Sequence, residues 1–258
     1  MATAQSRRRP KEVEYPTSDR KPMAETEDHR ELMIDTIRAL QMHPPTASRF
    51  YVSGSLLMYY ERGDKRKHVS PDVFAVEGLP THRRLYYLLW VEGKAPDVVF
   101  ELTSRSTKRE DQKKKYELYR DVLRVTEYFL FDPHGDYLKP RLKGFRLVRG
   151  DYEPVQPRAD GSLFCEVLGL ILEVHGNVMR LRDPGTGELL PTPEEARHHA
   201  EAARLKEEAN RIRAEADRAQ AEAAQHSAEA ALSRSEAEKE ALRRELEELR
   251  RQKAGDSE

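Results

Sequence analysis

The 258-residue chain has one cysteine and one tryptophan, and aromatic residues make up only 7% of it. A single cysteine, Cys165, excludes a disulfide framework and a cysteine-based zinc site, and it fits a reducing, cytoplasmic interior. No segment approaches the ~20 consecutive apolar residues that a membrane span requires. The opening residues MATAQSRRRP are polar and basic without an apolar stretch, which is not the pattern of a secretory signal. No glycine-rich phosphate loop is present, which argues against nucleoside triphosphate use. The formal net charge of -1 excludes a uniformly basic nucleic-acid coat, though not a local basic patch. What is abundant is charge itself: 35% of residues are Asp, Glu, Lys or Arg. That is too polar for one compact globule of this length, so part of the chain lies outside any core.

The composition changes at Pro191-Thr192-Pro193. The following 65 residues hold 17 alanines, 13 Lys or Arg and 17 Asp or Glu, with no aromatic residue. This tail carries a net charge of -4, and the preceding 193 residues carry +3. Ala, Glu, Arg, Lys and Leu are the strongest helix formers, so residues 194–254 are expected to form one long helix. A heptad seam runs through Ala202, Leu205, Ala209, Ile212, Ala216, Ala219 and Ala223. It fails at His226, Ser233 and Glu240, and a different register resumes with Leu242, Leu246 and Leu249. A coiled coil that makes a homodimer is the expected reading; a solvated helix laced with charge pairs is the alternative. Residues 1–25, with Arg7, Arg8, Arg9 and Lys11, read as a disordered basic arm.

Between them, residues 26–193 read as a mixed α/β domain. A helix is expected from Asp28 to Met42, stopped by His43-Pro44-Pro45. Short strand-like runs follow at Arg49–Val52, Leu56–Tyr60, Val73–Val76, Val98–Thr103 and Glu127–Phe131, with Leu85–Trp90 readable as strand or helix. A second helix is expected over Ser106–Leu123, started by a capping box from Thr107 to Glu110. Later strands are expected at Tyr137–Leu142, Phe145–Arg149, Tyr152–Val155 and Leu170–Val174, and Pro184–Gly187 is a tight turn.

Three polar residues stand out against this pattern. Asp72, in SPDVFAV, sits at the mouth of a strand just after Pro71. Glu101, in PDVVFELTS, interrupts the apolar run Val98, Val99, Phe100 and Leu102. Such a run is a strand buried on both faces, where a carboxylate is costly unless it is paired or metal-bound. Lys115 falls inside the apolar stripe formed by Leu118, Tyr119, Val122 and Leu123 when the second helix is drawn at about 100° per residue. Lys113 and Lys114 fall outside that stripe. A lysine on a core-facing stripe needs a partner, and the acid pair is the natural one. Two carboxylates and a lysine make a site for a hard divalent cation such as Mg²⁺. Each residue also has a structural alternative: a turn cap for Asp72, a buried ion pair for Glu101, and a snorkelling stem for Lys115.

On the segments SPDVFAV, PDVVFELTSRSTKREDQKKKYELY and VTEYFLFDP, roughly residues 28–175 resemble the putative restriction endonuclease (Uma-type) family of the PD-(D/E)XK nuclease superfamily. The resemblance implies a restriction-endonuclease-like fold, a mixed central sheet flanked by helices, and Mg²⁺- or Mn²⁺-dependent hydrolysis of DNA phosphodiesters. It implies that Asp72 and Glu101 hold the metal, with the backbone carbonyl of Leu102 as a further ligand, and that Lys115 assists the attacking water. Thr103 occupies the superfamily's usual lysine position, and Lys115 matches the lysine that this family carries on the following helix. Ser104-Arg105-Ser106-Thr107 stands where the family usually has Ser-Pro-Ser-Thr, and Glu31 is a weak match to an accessory acid on the first helix.

Beside the acids, Arg105, Lys108, Arg109, Lys113 and Lys114, with Arg120, form a basic cluster suited to DNA phosphates. Arg62, Lys65, Arg66 and Lys67 form a second cluster in a turn. A solvated charged surface explains either cluster as well. Tyr116 and Tyr119 read as core residues, and Asp97 as a weaker rival to Asp72. The contrasting functional reading is a catalytically silent nuclease fold that acts as an interaction module through its coiled coil.

Overall fold

The computed structural model describes residues 14–18, 26–103 and 110–255. The chain divides into two units, Met1–Glu195 and Ala196–Glu258. The first begins with α1 (Glu27–Met42), α2 (Pro44–Ala47), β1 (Phe50–Ser53), β2 (Met58–Tyr59), β3 (His68–Val69) and β4 (Val73–Glu77). It continues with β5 (Tyr87–Leu88), α3 (Leu89–Glu92), β6 (Val98–Leu102) and the π-helical segments Glu110–Lys115 and Leu118–Val122. It closes with β7 (Glu127–Phe131), β8 (Leu142–Val148), β9 (Asp151–Pro154), β10 (Leu163–Cys165), β11 (Leu170–His175) and β12 (Val178–Arg182). The final helix, α4, covers Pro193–Gly255.

The central sheet has six strands in the order β1-β4-β6-β7-β8-β9. Only β6 and β7 are parallel; the other neighbours are antiparallel. The parallel pair requires a crossover, and the helical stretch between Glu110 and Val122 lies within it. Side chains alternate across the sheet, so each strand feeds two cores. Val73, Val98, Phe100, Leu102, Phe129 and Phe131 pack with α1 and with the three-stranded sheet β10-β11-β12. Phe74, Val99, Tyr128 and Leu130 pack on the other face with Tyr119, Leu123 and the small sheet β3-β2-β5. Burying a Leu or Phe side chain contributes roughly 1.5–3 kcal/mol, so these layers dominate the stability.

The helix that covers the second core departs from the sequence expectation. An α-helix was expected over Ser106–Leu123; the turns observed are widened, as in the bond from the Leu123 N–H to the Leu118 carbonyl. The reason lies in the spacing of the inward residues. Asp111, Lys115, Tyr119 and Leu123 are four apart, and all four are buried or nearly so. On a regular α-helix a spacing of four precesses by about 40° per step, which would carry the stripe away from the sheet within three steps. Widened turns, which hold more than four residues, drift the other way and offset that precession where they meet the α-helical residues Tyr116 and Glu117. They also turn Val122 outward, 54% exposed, although the α-helical reading put it in the stripe. The expected capping box at Thr107 lies outside the described residues.

Other corrections follow from turn and strand chemistry. No strand forms over Tyr137–Leu142; its start belongs to a loop wrapped around Asp132, whose carboxylate accepts from the N–H groups of Gly135, Tyr137 and Leu138. Cys165 is fully buried, and its thiol donates to Glu127 Oε2 at 2.9 Å. Residues 14–18, assigned from sequence to the arm, are docked: Tyr15 is buried against Tyr59 and Trp90, and its hydroxyl accepts from Gly63 N–H at 2.7 Å.

At the start of α4, Thr192 Oγ1 accepts from Glu195 N–H, and Glu195 Oε2 accepts from Thr192 N–H at 2.8 Å. This reciprocal capping box fixes the point at which the helix begins. Beyond it, Leu205, Ile212, Leu232, Leu242 and Leu246 are all more than half exposed. Among the described residues, no helix is long and apolar enough to cross a membrane.

Candidate active site

Register alone brings the two acids together. β4 and β6 pair with Val73 opposite Phe100, so continuing the ladder by one residue sets Asp72 opposite Glu101 on the same face. Their ends are tied: the N–H of Leu102 donates to Asp72 Oδ2 at 2.8 Å. Gly54 permits the approach, since a Cβ there would overlap the carbonyl oxygen of Asp72 and stand 2.7 Å from Ile37 Cδ1.

Lys115 reaches this acid pair from the widened helix. Its Nζ donates to Glu101 Oε2 at 2.7 Å and lies 3.1 Å from Asp111 Oδ1. The other oxygen of Glu101 accepts from the Tyr119 hydroxyl at 2.6 Å. Glu101 and Asp111 are almost inaccessible, and the Lys115 side chain is 13% exposed. From α1, His29 Nε2 lies 3.3 Å from Asp72 Oδ2.

The electrostatics follow from burial and neighbours. Burial opposes the charge on Lys115, but Glu101, Asp111 and Asp72 together outweigh it and hold the amine as an ammonium above its ordinary range. Burial likewise opposes ionisation of Asp72; the contact with His29, the charge on Lys115 and the Leu102 N–H overcome that and keep its carboxyl below the usual range. Glu101 goes the other way. Burial, reinforced by Asp72 and Asp111, pushes it well above the usual range despite Lys115. Burial and Glu101 also raise the Tyr119 phenol, so it remains a hydroxyl and a donor.

Asp72, Glu101 and Lys115 are therefore one cluster. Thr103 follows Glu101 on the same face and donates to Asp111 Oδ2 at 2.7 Å; its hydroxyl also meets that of Tyr137. Asp97 does not join them: it accepts from Glu77 N–H and pairs with Lys94. Glu31 is exposed, and the residue that α1 sends to the acids is His29. Lys113 and Lys114 are exposed on the helix, while Arg120 is tied to Asp121 and Asp151. Arg105, Lys108 and Arg109 lie outside the described residues. The sequence reading missed Asp111 and His29 and assigned Tyr119 to packing alone. The spacing of four from Asp111 through Lys115 to Tyr119 was the available signal.

The acids also satisfy a charge test for a cation. Among the described residues, three buried or nearly buried acids, Asp72, Glu101 and Asp111, surround one permanent cation, Lys115. Among the described residues, no three His, Cys, Asp or Glu side chains are clustered as a ready-made metal cage. The donor set suits a hard cation that takes one or two carboxylates and retains water, rather than one enclosed by protein.

A mixed sheet that presents opposed acids at the ends of two inner strands, with a lysine from the crossover helix, places the protein among nuclease-like α/β proteins. The chain belongs to the Uma2 family, described as "Putative restriction endonuclease", whose model matches residues 7–175. Among solved structures, it is similar to a "putative nuclease belonging to DUF820" from Anabaena variabilis ATCC 29413, with 12% identity and a TM-score of 0.41 over 55% of this chain and 74% of that one. No curated protein matches the chain at a significant level.

Proposed function

We propose that this protein is a divalent-metal-dependent endonuclease that hydrolyses DNA phosphodiester bonds. The observation that carries the reading is the convergence of Asp72 and Glu101 from adjacent strands with the Lys115 ammonium, 2.7 Å from Glu101, in a chain of a restriction endonuclease family. Asp72 and Glu101 would hold Mg²⁺ or Mn²⁺. The Leu102 carbonyl would join them, because the N–H and carbonyl of one strand residue point to the same side and its N–H already meets Asp72. When bound, such an ion supplies a Lewis acid and an acidified water.

The protein's own groups have distinct parts in this reading. His29 and the Leu102 N–H orient Asp72 and keep it ionised. Tyr119 fixes the rotamer of Glu101. Lys115 stays protonated, so it acts as a positioned charge that holds the attacking water and offsets the developing negative charge of the phosphorane; it is not the base. Lys113 and Lys114, with Arg105, Lys108 and Arg109, would contact DNA phosphates and fix the duplex without reading sequence. The apolar positions left exposed on α4 support a homodimer, which would set two sites on one duplex.

The test is relaxation of supercoiled plasmid in Mn²⁺ by the wild type, Glu101→Ala and Lys115→Ala. The proposal expects relaxation by the wild type and a loss of at least 100-fold in each variant. Equal traces in all three would identify a contaminant and leave the silent interaction module as the better reading.

A further inference from the structure

We propose that Asp111 is the positioning residue that keeps the Lys115 ammonium beside the acid pair when the Glu101 carboxylate is engaged elsewhere. The purpose assigned to it rests on the nuclease reading above; the geometry that carries it does not.

Among the described residues, two carboxylates contact Lys115, with unequal freedom, while Asp72 adds its charge nearby. Glu101 belongs to β6 and is itself a proposed metal ligand, so its oxygens are the ones a cation would draw on. Asp111 lies one turn before Lys115 on the same helix, and two hydrogen bonds fix it while its buried Oδ1 makes none among the described residues. Its Oδ2 accepts from Thr103 Oγ1 at 2.7 Å, its backbone carbonyl accepts from the Tyr128 hydroxyl at 3.0 Å, and its Oδ1 faces Lys115 Nζ at 3.1 Å. It is 2% exposed, so water cannot take over any of these contacts. A buried ammonium that lost Glu101 with no second acid would be strongly destabilised or would swing outward. With Asp111 in place, it keeps a charged partner on its own element and remains aimed at the site.

Thr103 has a share in this arrangement. It stands two residues after Glu101 on the same face, and its hydroxyl grips Asp111. The strand thus fixes the helix residue that fixes the amine. This explains why a carboxylate is kept in a buried position where a helix would otherwise present an apolar side chain.

The experiment observes the Lys115 side-chain ammonium directly, by ¹H–¹⁵Nζ correlation NMR of the full chain at neutral pH with EDTA present. The resonance is assigned by its absence in Lys115→Arg. A slowly exchanging ammonium is expected in the wild type and in Glu101→Gln, in which Asp111 remains. It is expected to vanish in the isosteric double variant Glu101→Gln/Asp111→Asn. Thr103→Val is expected to retain the resonance with faster exchange. Loss of the signal in Glu101→Gln alone, or its survival in the double variant, would overturn the proposal. Should the double variant not fold, Glu101→Gln decides alone: exchange within tenfold of the wild type supports the proposal, and exchange too fast to give a signal overturns it. No metal is involved, so a wild type that fails to bind Mn²⁺ or to relax plasmid defeats the nuclease reading and leaves this result standing.

Discussion

The backbone N–H of Leu102 donates to Asp72 Oδ2 at 2.8 Å, so the residue that follows Glu101 in its strand holds the acid of the neighbouring strand. Two carboxylates 29 positions apart in sequence are thereby locked side by side at one end of the β4–β6 pair by main-chain geometry. The register of β4 against β6 does the aligning: Glu101 lies within β6, and Asp72 in the bend immediately before β4.

Gly54 is the weak point of that arrangement. A methyl group there must displace the Asp72 carbonyl or Ile37, and overpacking of this kind costs about 1–3 kcal/mol. Gly54→Ala is expected to lower the unfolding free energy by that amount, seen as a lower urea midpoint, and to weaken Mn²⁺ binding in the molecules that remain folded. An unfolding midpoint equal to that of the wild type would contradict the close approach.

Acid sensitivity should arise partly from Glu173. Its carboxylate is hydrogen-bonded by Arg182, with Nη2 2.9 Å from Oε2, and by His175; it is held down at about 2, against an ordinary 4.5. A depressed carboxylate contributes stability that is complete above its unfolded value and lost as pH falls through the folded one. Wild type should therefore lose more stability than Glu173→Gln between pH 4.5 and 2, and the two should run parallel above pH 5.5. Parallel curves throughout, measured by thermal unfolding across the range, would refute the contribution of this pair.

The exposed apolar residues of α4 make a statement about assembly. Leu205 and Ile212 are 54% and 57% exposed in the single chain and fall on the same heptad seam. Sedimentation of the full chain at micromolar concentration is expected to give a dimer, and Leu205→Glu with Ile212→Glu a monomer with an unchanged core melting temperature. A wild-type monomer would remove the two-site arrangement from the account.

Much of this site could be read from the chain because each residue violated a local rule. Glu101 broke an apolar strand, and Lys115 broke an apolar stripe, so both announced a partner. The α1 helix, β4, β6 and β7 were legible for the same reason, namely strong and consistent periodicity. Asp111 was marked only by its spacing of four from Lys115 and Tyr119, and His29 by nothing, since an acid in a charged helix and a histidine in a first turn break no rule. The widened turns were also hidden: only the contact of Asp111, Lys115 and Tyr119 with one strand requires them. The Tyr15 anchor escaped because a lone tyrosine in a basic, proline-containing stretch carries no period. Strands β10 and β12 were missed because each is short and is defined by its pairing with β11.

The central claim is that Asp72 and Glu101 form a divalent-cation site beside a charged amine. It is tested most directly by calorimetric titration of Mn²⁺ into the wild type, Asp72→Asn and Lys115→Met. The account predicts one Mn²⁺ per chain in the wild type, affinity at least tenfold weaker in Asp72→Asn, and no weakening in Lys115→Met, where a buried positive charge has been removed. Binding that is absent in the wild type, or equally strong in wild type and Asp72→Asn, would contradict it.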